Sequence, residues 1–453
     1  MRSMNNSKSA PTALGTESIW KLLLQFAIPS VIAMTASSLY NIIDSIFIGQ
    51  GVGPLAISGL AISFPLMNLS AAFGSLVGAG GAALMSLRLG QKDYSSANLI
   101  LGNAFTLNVV IGTIYAIVVL IFLDPILYFF GASDATIPYA RDYMEIISLG
   151  NVITHLYFGQ NALLRASGFP AKSMYATIGS VLINIILAPI FIYVFEWGIR
   201  GAALATIIAQ ASMLTWQILI FCDKSNFIHF HKGVFKLRKK IVKDSLSIGL
   251  APFLMNAVSC VVVIVINQGL IRYGGDLQVG AYGIINRISA LFAMIVAGLN
   301  MGMQPVAGYN YGARQIARVN KVLKLTILLA TSVMSVGFII GEFFPRAVAS
   351  LFTRDEGLIS LVVPGMRIVL IFFPIVGFQM VASNFFQSIG KPGKAIFMSL
   401  SRQVVFLLPA LFILPNIFGV KGVWYSIPVA DLLASMITAY LLFHQLKKSK
   451  LSL

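Results

Sequence analysis

The sequence predicts an all-α polytopic membrane protein: twelve transmembrane helices arranged as two pseudo-symmetric six-helix bundles. Three observations carry this. Of 453 residues, 58% are hydrophobic and only 10% charged, with a mean hydropathy of +0.87; a water-soluble chain of this length needs far more polar surface. Apolar runs of about twenty residues recur from end to end, each long enough for a hydrocarbon layer about 30 Å thick. The two halves also repeat one another in their Gly and Pro positions.

In the first half the spans fall at about 20–48, 56–85, 97–122, 138–162, 174–195 and 200–221. In the second half they fall at about 246–271, 278–306, 319–343, 359–388, 396–414 and 421–444. The organisation is therefore an N-terminal tail (1–19), an N-lobe (20–222), a basic linker (223–243), a C-lobe (244–446) and a short tail (447–453). The polar start followed by a full-length span predicts no cleaved signal peptide. The net charge of +17 is distributed by topology. Basic residues gather in every second connection, including Arg88 and Lys92, Lys224 through Lys243, Arg314 to Lys324, and Lys391, Lys394 and Arg402. The scarce acids, such as Asp124, Asp134, Asp355 and Glu356, sit in the alternate ones. This is the positive-inside pattern, with both termini cytoplasmic and anionic membrane lipid as the neighbour of the basic loops. Nucleic acid is not implied.

The repeat has an offset of 221 to 224 residues. Pro29 matches Pro252; Gly59, Gly74 and Gly78 match Gly283, Gly298 and Gly302; Gly168 and Pro170 match Gly390 and Pro392; Gly198 and Gly201 match Gly419 and Gly422. An even number of spans per half makes the repeat parallel, about an axis along the membrane normal, as in carriers whose two lobes rock about a central cavity. The basic linker reads as cytoplasmic, or as an amphipathic segment on the membrane surface. His229 and His231 within it have no further ligands and predict no metal site. Cys222 and Cys260 have neither disulfide nor metal spacing.

Within the spans, polar residues are few enough to name. Asp44 lies in the first span, and an ionisable group in hydrocarbon costs about 2.5–3.5 kcal/mol, so it usually faces an internal cavity and marks a pathway. Tyr40 and Asn41 precede it by one turn, where either side chain reaches the carboxylate. Pro29 in the same helix removes a backbone donor and favours a kink. Gln160 and Asn161 are candidates for a cavity lining or for hydrogen-bonded packing. Gln210 is matched in the repeat by Asp431, read as a second titrating or substrate-attracting group or as a partner of an arginine such as Arg287. Arg141 and Glu145, one turn apart, read as a local ion pair. Met255, with Met34, Met67, Met294, Met301 and Met303, offers adaptable apolar surface for a promiscuous site, against a plain packing role. No nucleophile motif, paired catalytic acids or His/Asp/Glu metal set is present, so an enzyme is not predicted. His155 is the one histidine inside a span.

Several stretches resemble the MATE (multidrug and toxic compound extrusion) family, in its bacterial MepA-like and DinF-like branch. They are IPSVI, YNIIDSIFIGQ, LAISGLAISFP, LLRASGFPAK, NIILAPIFIYVFEWGIRGAALAT and GAYGIINRI, and the likeness spans about residues 20 to 445. The resemblance implies two six-helix bundles in the cell membrane that export cationic, amphipathic organic compounds or drugs against protons or sodium ions. No cofactor is expected, and the duplicated halves in one chain make a functional monomer sufficient. Asp44 stands at the family's ion-coupling aspartate, possible sodium included, and Pro29 at its bending proline. Asn184 and Thr206 match polar members of the same pocket. Ala188 departs from the family, which often has an aspartate there, so Asp44 lacks that carboxylate partner. The tenth and seventh spans hold amides rather than acids, which places ion coupling in the N-lobe. Lipid-linked oligosaccharide flippases of the same superfamily are the alternative; their cavities are often more charged than this sequence allows.

Overall fold

The computed structural model describes residues 13–130, 132–352 and 355–451. The side chains of Leu39, Asn41, Ile42, Pro54, Ile57, Ser58, Ala61 and Asp276, and those of 448–451, lie outside what is described. The N-lobe comprises α1 (Ile19–Gly51), α2 (Pro54–Gly90), α3 (Tyr94–Ile121), α4 (Ile137–Leu149 and Asn151–Ala166), α5 (Pro170–Val194) and α6 (Gly198–Cys222). The C-lobe comprises α7 (Lys239–Gly274), α8 (Asp276–Gly312), α9 (Ile316–Phe343), α10 (Glu356–Leu370 and Phe373–Ser388), α11 (Pro392–Phe418) and α12 (Val420–Leu451). Among the described residues ten helices are long and apolar enough to cross a membrane, or eleven if α10, bent by 50°, counts as one span. The remaining expected span, 138–162, is split at Gly150, and its first segment carries Arg141, Asp142 and Glu145. Its polarity, together with the break, keeps it out of a count made on hydropathy.

Helix starts follow local chemistry. Ser18 caps α1 by accepting from the Lys21 N–H, Asp93 caps α3 through Ser96, and Asp355 caps α10 through Gly357 and Leu358. Each satisfies donors that the first helical turn leaves unpaired. Pro170 and Pro392 begin α5 and α11, where a missing N–H costs nothing. The glycines two residues before them, Gly168 and Gly390, have φ of 92° and 69°. Gly198 and Gly419 (54° and 59°) form a second left-handed pair, and Gly53 and Gly275 (117° and 80°) a third. The duplicated glycines therefore hold duplicated turns that a side chain would strain.

The lobes meet along α1–α8 and α2–α7. A Cβ on Gly80 would sit 2.0 Å from the Ser245 carbonyl oxygen, and one on Gly249 would sit 1.8 Å from that of Leu76. Gly298 and Gly302 approach Val31 and Ala27, and Gly90 and Gly312 approach the Tyr309 and Leu87 carbonyls. Among the described residues these tight interlobe approaches run from mid-helix toward the end that carries the chain termini. At the other end a Cβ on Gly283 would meet nothing within 4 Å, and Ile46 and Phe64 are exposed. Small residues let backbones touch where lipid gives no hydrophobic drive between helices. On α2, Gly80 and Gly90 meet the C-lobe, while Gly74, Gly78 and Gly81 pack within the N-lobe against His155, Gly159 and Ala104.

The linker is non-helical over 223–238 and is strapped to α3. Asn103 donates to the Val234 and Lys236 carbonyls, Thr106 to that of Phe235, and Asn98 accepts from the His229 N–H, so α3 holds it along its length. At the same end, the short helix Ala13–Thr16 is tied to the C-lobe through Asn310 and Arg318, both donating to the Leu14 carbonyl.

Candidate ion and substrate site

Asp44 lies in the half of α1 away from the termini and is 6% exposed. Among the described residues its Oδ1 has no hydrogen-bond partner. Tyr40, expected to reach this carboxylate, instead bonds Thr206 on α6 at 2.9 Å. Asn184 on α5 donates to the same Thr206 oxygen at 3.0 Å, and Thr206 donates its own proton to the Ala202 carbonyl at 3.1 Å. A hydroxyl has one proton and two lone pairs. With the proton on Ala202, Tyr40 must be the donor in its contact, and Thr206 is then fully used. The carboxylate therefore sits beside a closed Tyr40–Thr206–Asn184 network without drawing a bond from its hydroxyls.

Tyr143 on α4 is 2% exposed and interacts electrostatically with both Asp44 and Tyr40. Nothing in the sequence singled it out, because a tyrosine in an apolar span is ordinarily packing. Ala188 is fully buried in the apolar core cluster that also contains Ile48, Ile192 and Ile199, so an apolar residue stands in the place of a second acid. Gln210 accepts from Thr154 at 2.6 Å, linking α6 to α4.

The other predicted cavity residues are dispersed. Asn161 lies in the terminus-bearing half, bonded to Thr177, Arg165 and Ser173. It lines a cavity of about 90 Å³ with Pro29, Met34, Phe158, Arg165 and Met301. Pro29 is fifteen residues from Asp44, about 22 Å along an α-helix, and lies inside α1 without ending it. Gln160 is fully buried and neither of its amide atoms has a partner among the described residues. Met255 is 40% exposed on α7. His155 is held by Ser70 and Asn151 in a buried cluster at the α2–α4 contact.

One ion-pair expectation is corrected, and another is met by a different arginine. Arg141 pairs with Asp124, not Glu145, which lies 3.6 Å from Arg200. Asp431 pairs with Arg402 on α11, Nε to Oδ1 at 2.5 Å, not with Arg287. Arg402 belongs inside the span although its sequence neighbours are the basic residues of a connection. A lone arginine within 396–414 was the available signal. In the fold, Asp431 lines a C-lobe cavity of about 210 Å³ and is not part of the Asp44 network.

The MatE family model matches residues 29–190 and 248–413, one block in each lobe. The chain belongs to the MATE family. This MATE protein is similar to the multidrug export protein MepA of Staphylococcus haemolyticus strain JCSC1435, at 28% identity over 94% of both chains. MepA of Staphylococcus aureus strain MRSA252 matches equally, at 28% over 94% of each. Among solved structures, the MATE multidrug transporter DinF-BH is 36% identical, with a TM-score of 0.88 over 95% of this chain and 96% of that one. An outward-facing MATE transporter superposes with a TM-score of 0.92 over 98% and 99% of the two chains, at 23% identity, a likeness of fold.

Proposed function

We propose that this MATE protein is a proton-driven exporter of cationic or amphipathic organic compounds, working by alternating access between its lobes in the cell membrane. The observation that carries the reading is Asp44: a buried carboxylate with an unpartnered oxygen, in the lobe half remote from the seam. Such a group needs a positive companion, because an uncompensated charge in a low-dielectric interior is costly. The names of the MepA and DinF-BH relatives support organic export substrates.

The choice of proton over sodium rests on Thr206. Its oxygen already accepts from Tyr40 and Asn184 while donating to Ala202, leaving no lone pair for a metal cation. A proton needs only the carboxylate itself. With the termini cytoplasmic, the tight glycine contacts close the cytoplasmic side, and Asp44 lies toward the outer side. Protonation of Asp44 from that side removes its charge, α1 bends at Pro29, and the substrate leaves outward. A potential of 100 mV supplies about 2.3 kcal/mol for each charge moved inward. Both lobes lie in one chain, so a monomer is sufficient, with lipid against the exposed apolar faces.

The test is substrate efflux from proteoliposomes under separately imposed pH and sodium gradients, wild type beside Asp44→Asn. Uphill efflux under the pH gradient alone, lost in the variant, is expected. Sodium-driven efflux overturns the proton assignment. Response to neither gradient by a folded protein moves the reading to lipid-linked substrates.

A further inference from the structure

The C-lobe has a cavity that the repeat relates to the Tyr40–Thr206 part of the Asp44 site, although Asn267 is not among its lining residues, and its charges differ. In each lobe the first, fifth and sixth helices pack together: α1 with α5 and α6, and α7 with α11 and α12. Pro29 and Pro252 set an offset of 223 for the first helix, so Tyr40 corresponds to Val263 and Asp44 to Asn267. Gly201 and Gly422 set an offset of 221 for the sixth, so Thr206 corresponds to Ile427 and Gln210 to Asp431. Val263, Ile427 and Asp431 all line the 210 Å³ C-lobe cavity. The acid of this pocket is therefore carried by the sixth helix, not the first.

Asp431 is buried, 2% exposed, and its Oδ1 accepts from Arg402 Nε. Arg402 enters from a π-helical segment of α11, Ser401–Leu407, in which Gln403 also turns inward to donate to Ser259 on α7 at 2.9 Å. π-helical turns re-aim side chains at functional positions. The arginine lines the same cavity, and a guanidinium does not lose its proton in a protein. The pocket thus contains an acid together with a permanent cation attached to the chain.

We infer that Arg402 is a tethered counter-cation that fills the C-lobe counterpart of the N-lobe ion site, so that Asp431 takes up neither a proton nor a sodium ion and ion coupling is confined to Asp44. Through the repeat, the inference rests on the reading of Asp44 as an ion site. It makes Arg402 the residue that sets how many ions the protein can carry. Substituting the arginine turns the C-lobe pocket into a second acid site for a mobile monovalent cation.

The decisive measurement is infrared spectroscopy of the full-length protein in lipid nanodiscs, following protonated carboxyl absorption between acidic and neutral pH. The set is wild type, Arg402→Gln, Arg402→Lys and Arg402→Gln/Asp431→Asn. Arg402→Gln is expected to gain one protonated carboxyl at neutral pH, which is lost in the double variant and absent from wild type. Arg402→Lys keeps a tethered charge and should match wild type. Arg402→Met, whose stem fills the same space, serves the first arm if Arg402→Gln does not fold. No added carboxyl in Arg402→Gln or Arg402→Met overturns the inference, as does an Arg402→Lys spectrum that gains the same band. The readout involves no transport, so it can fail while gradient-driven efflux through Asp44 succeeds, and the reverse.

Discussion

Adding one methyl group at the lobe seam should open it. In Gly80→Ala the new Cβ would lie 2.0 Å from the Ser245 carbonyl oxygen and 2.8 Å from the Gly249 nitrogen, both backbone atoms of the opposite lobe. Ordinary contact begins at 3.4 Å, so α2 and α7 must separate by 1.4 Å (3.4 − 2.0). Neither atom belongs to a flexible side chain that can swing away. Overpacking of this kind costs about 1–3 kcal/mol. The cost falls on the seam-closed arrangement alone, because lobes that have separated leave the methyl without a neighbour there. A penalty of that size shifts the closed–open balance by about 5- to 150-fold. The assay is alkylation of Ser86→Cys, a seam position 1% exposed, in a background with Cys222 and Cys260 replaced. Its labelling rate should rise in Gly80→Ala by a factor in that range. Unchanged labelling with a lowered melting temperature would refute the reasoning, since the clash would then burden both arrangements. Gly283→Ala is the control: its Cβ meets nothing within 4 Å, so labelling stays at the wild-type rate.

Other consequences are separately measurable. Gly283→Ala removes a glycine from the interior of α8 and should stabilise that helix by about 0.8–1.0 kcal/mol, read as a raised melting temperature. Tyr40→Phe deletes the donor to Thr206 and should cost about 0.5–1.5 kcal/mol; a melting temperature equal to wild type would place the phenol outside that bond. Hydrogen bonding from the Ser96 side chain, then its backbone N–H and the Arg88 charge, holds the Asp93 carboxyl below its ordinary value despite partial burial. Because the folded value is the lower one, this stabilisation is full above the ordinary carboxylate value and fades as pH falls through the depressed one. Asp93→Asn keeps the helix cap, so its melting curve should lose part of the acid-side slope. Arg402→Gln breaks an ion pair whose acid is buried and should cost about 3 kcal/mol, with much of it recovered on adding Asp431→Asn; no recovery would show that the arginine acts through packing.

Membrane class, the paired six-span halves and the prominence of Asp44 were legible before any fold was known. Those follow from composition, apolar run length and one ionisable group placed where hydrocarbon makes it costly, which are all local properties of the chain. The matched glycines were equally legible, and the left-handed turns at Gly168 and Gly390 show the physical need behind them. Tertiary structure decided the partnerships. Tyr40 stands one turn from Asp44, yet its hydroxyl meets Thr206, 166 residues away. Asp431 found Arg402 and not Arg287, and Arg402 lies in a π-helical segment of α11. The span expected at 138–162 became two helices meeting at Gly150. Sequence spacing specifies which side chains share a helix face. The crossing of helices distant in sequence specifies which of them touch, and each buried polar group then takes the partner that this crossing brings within reach.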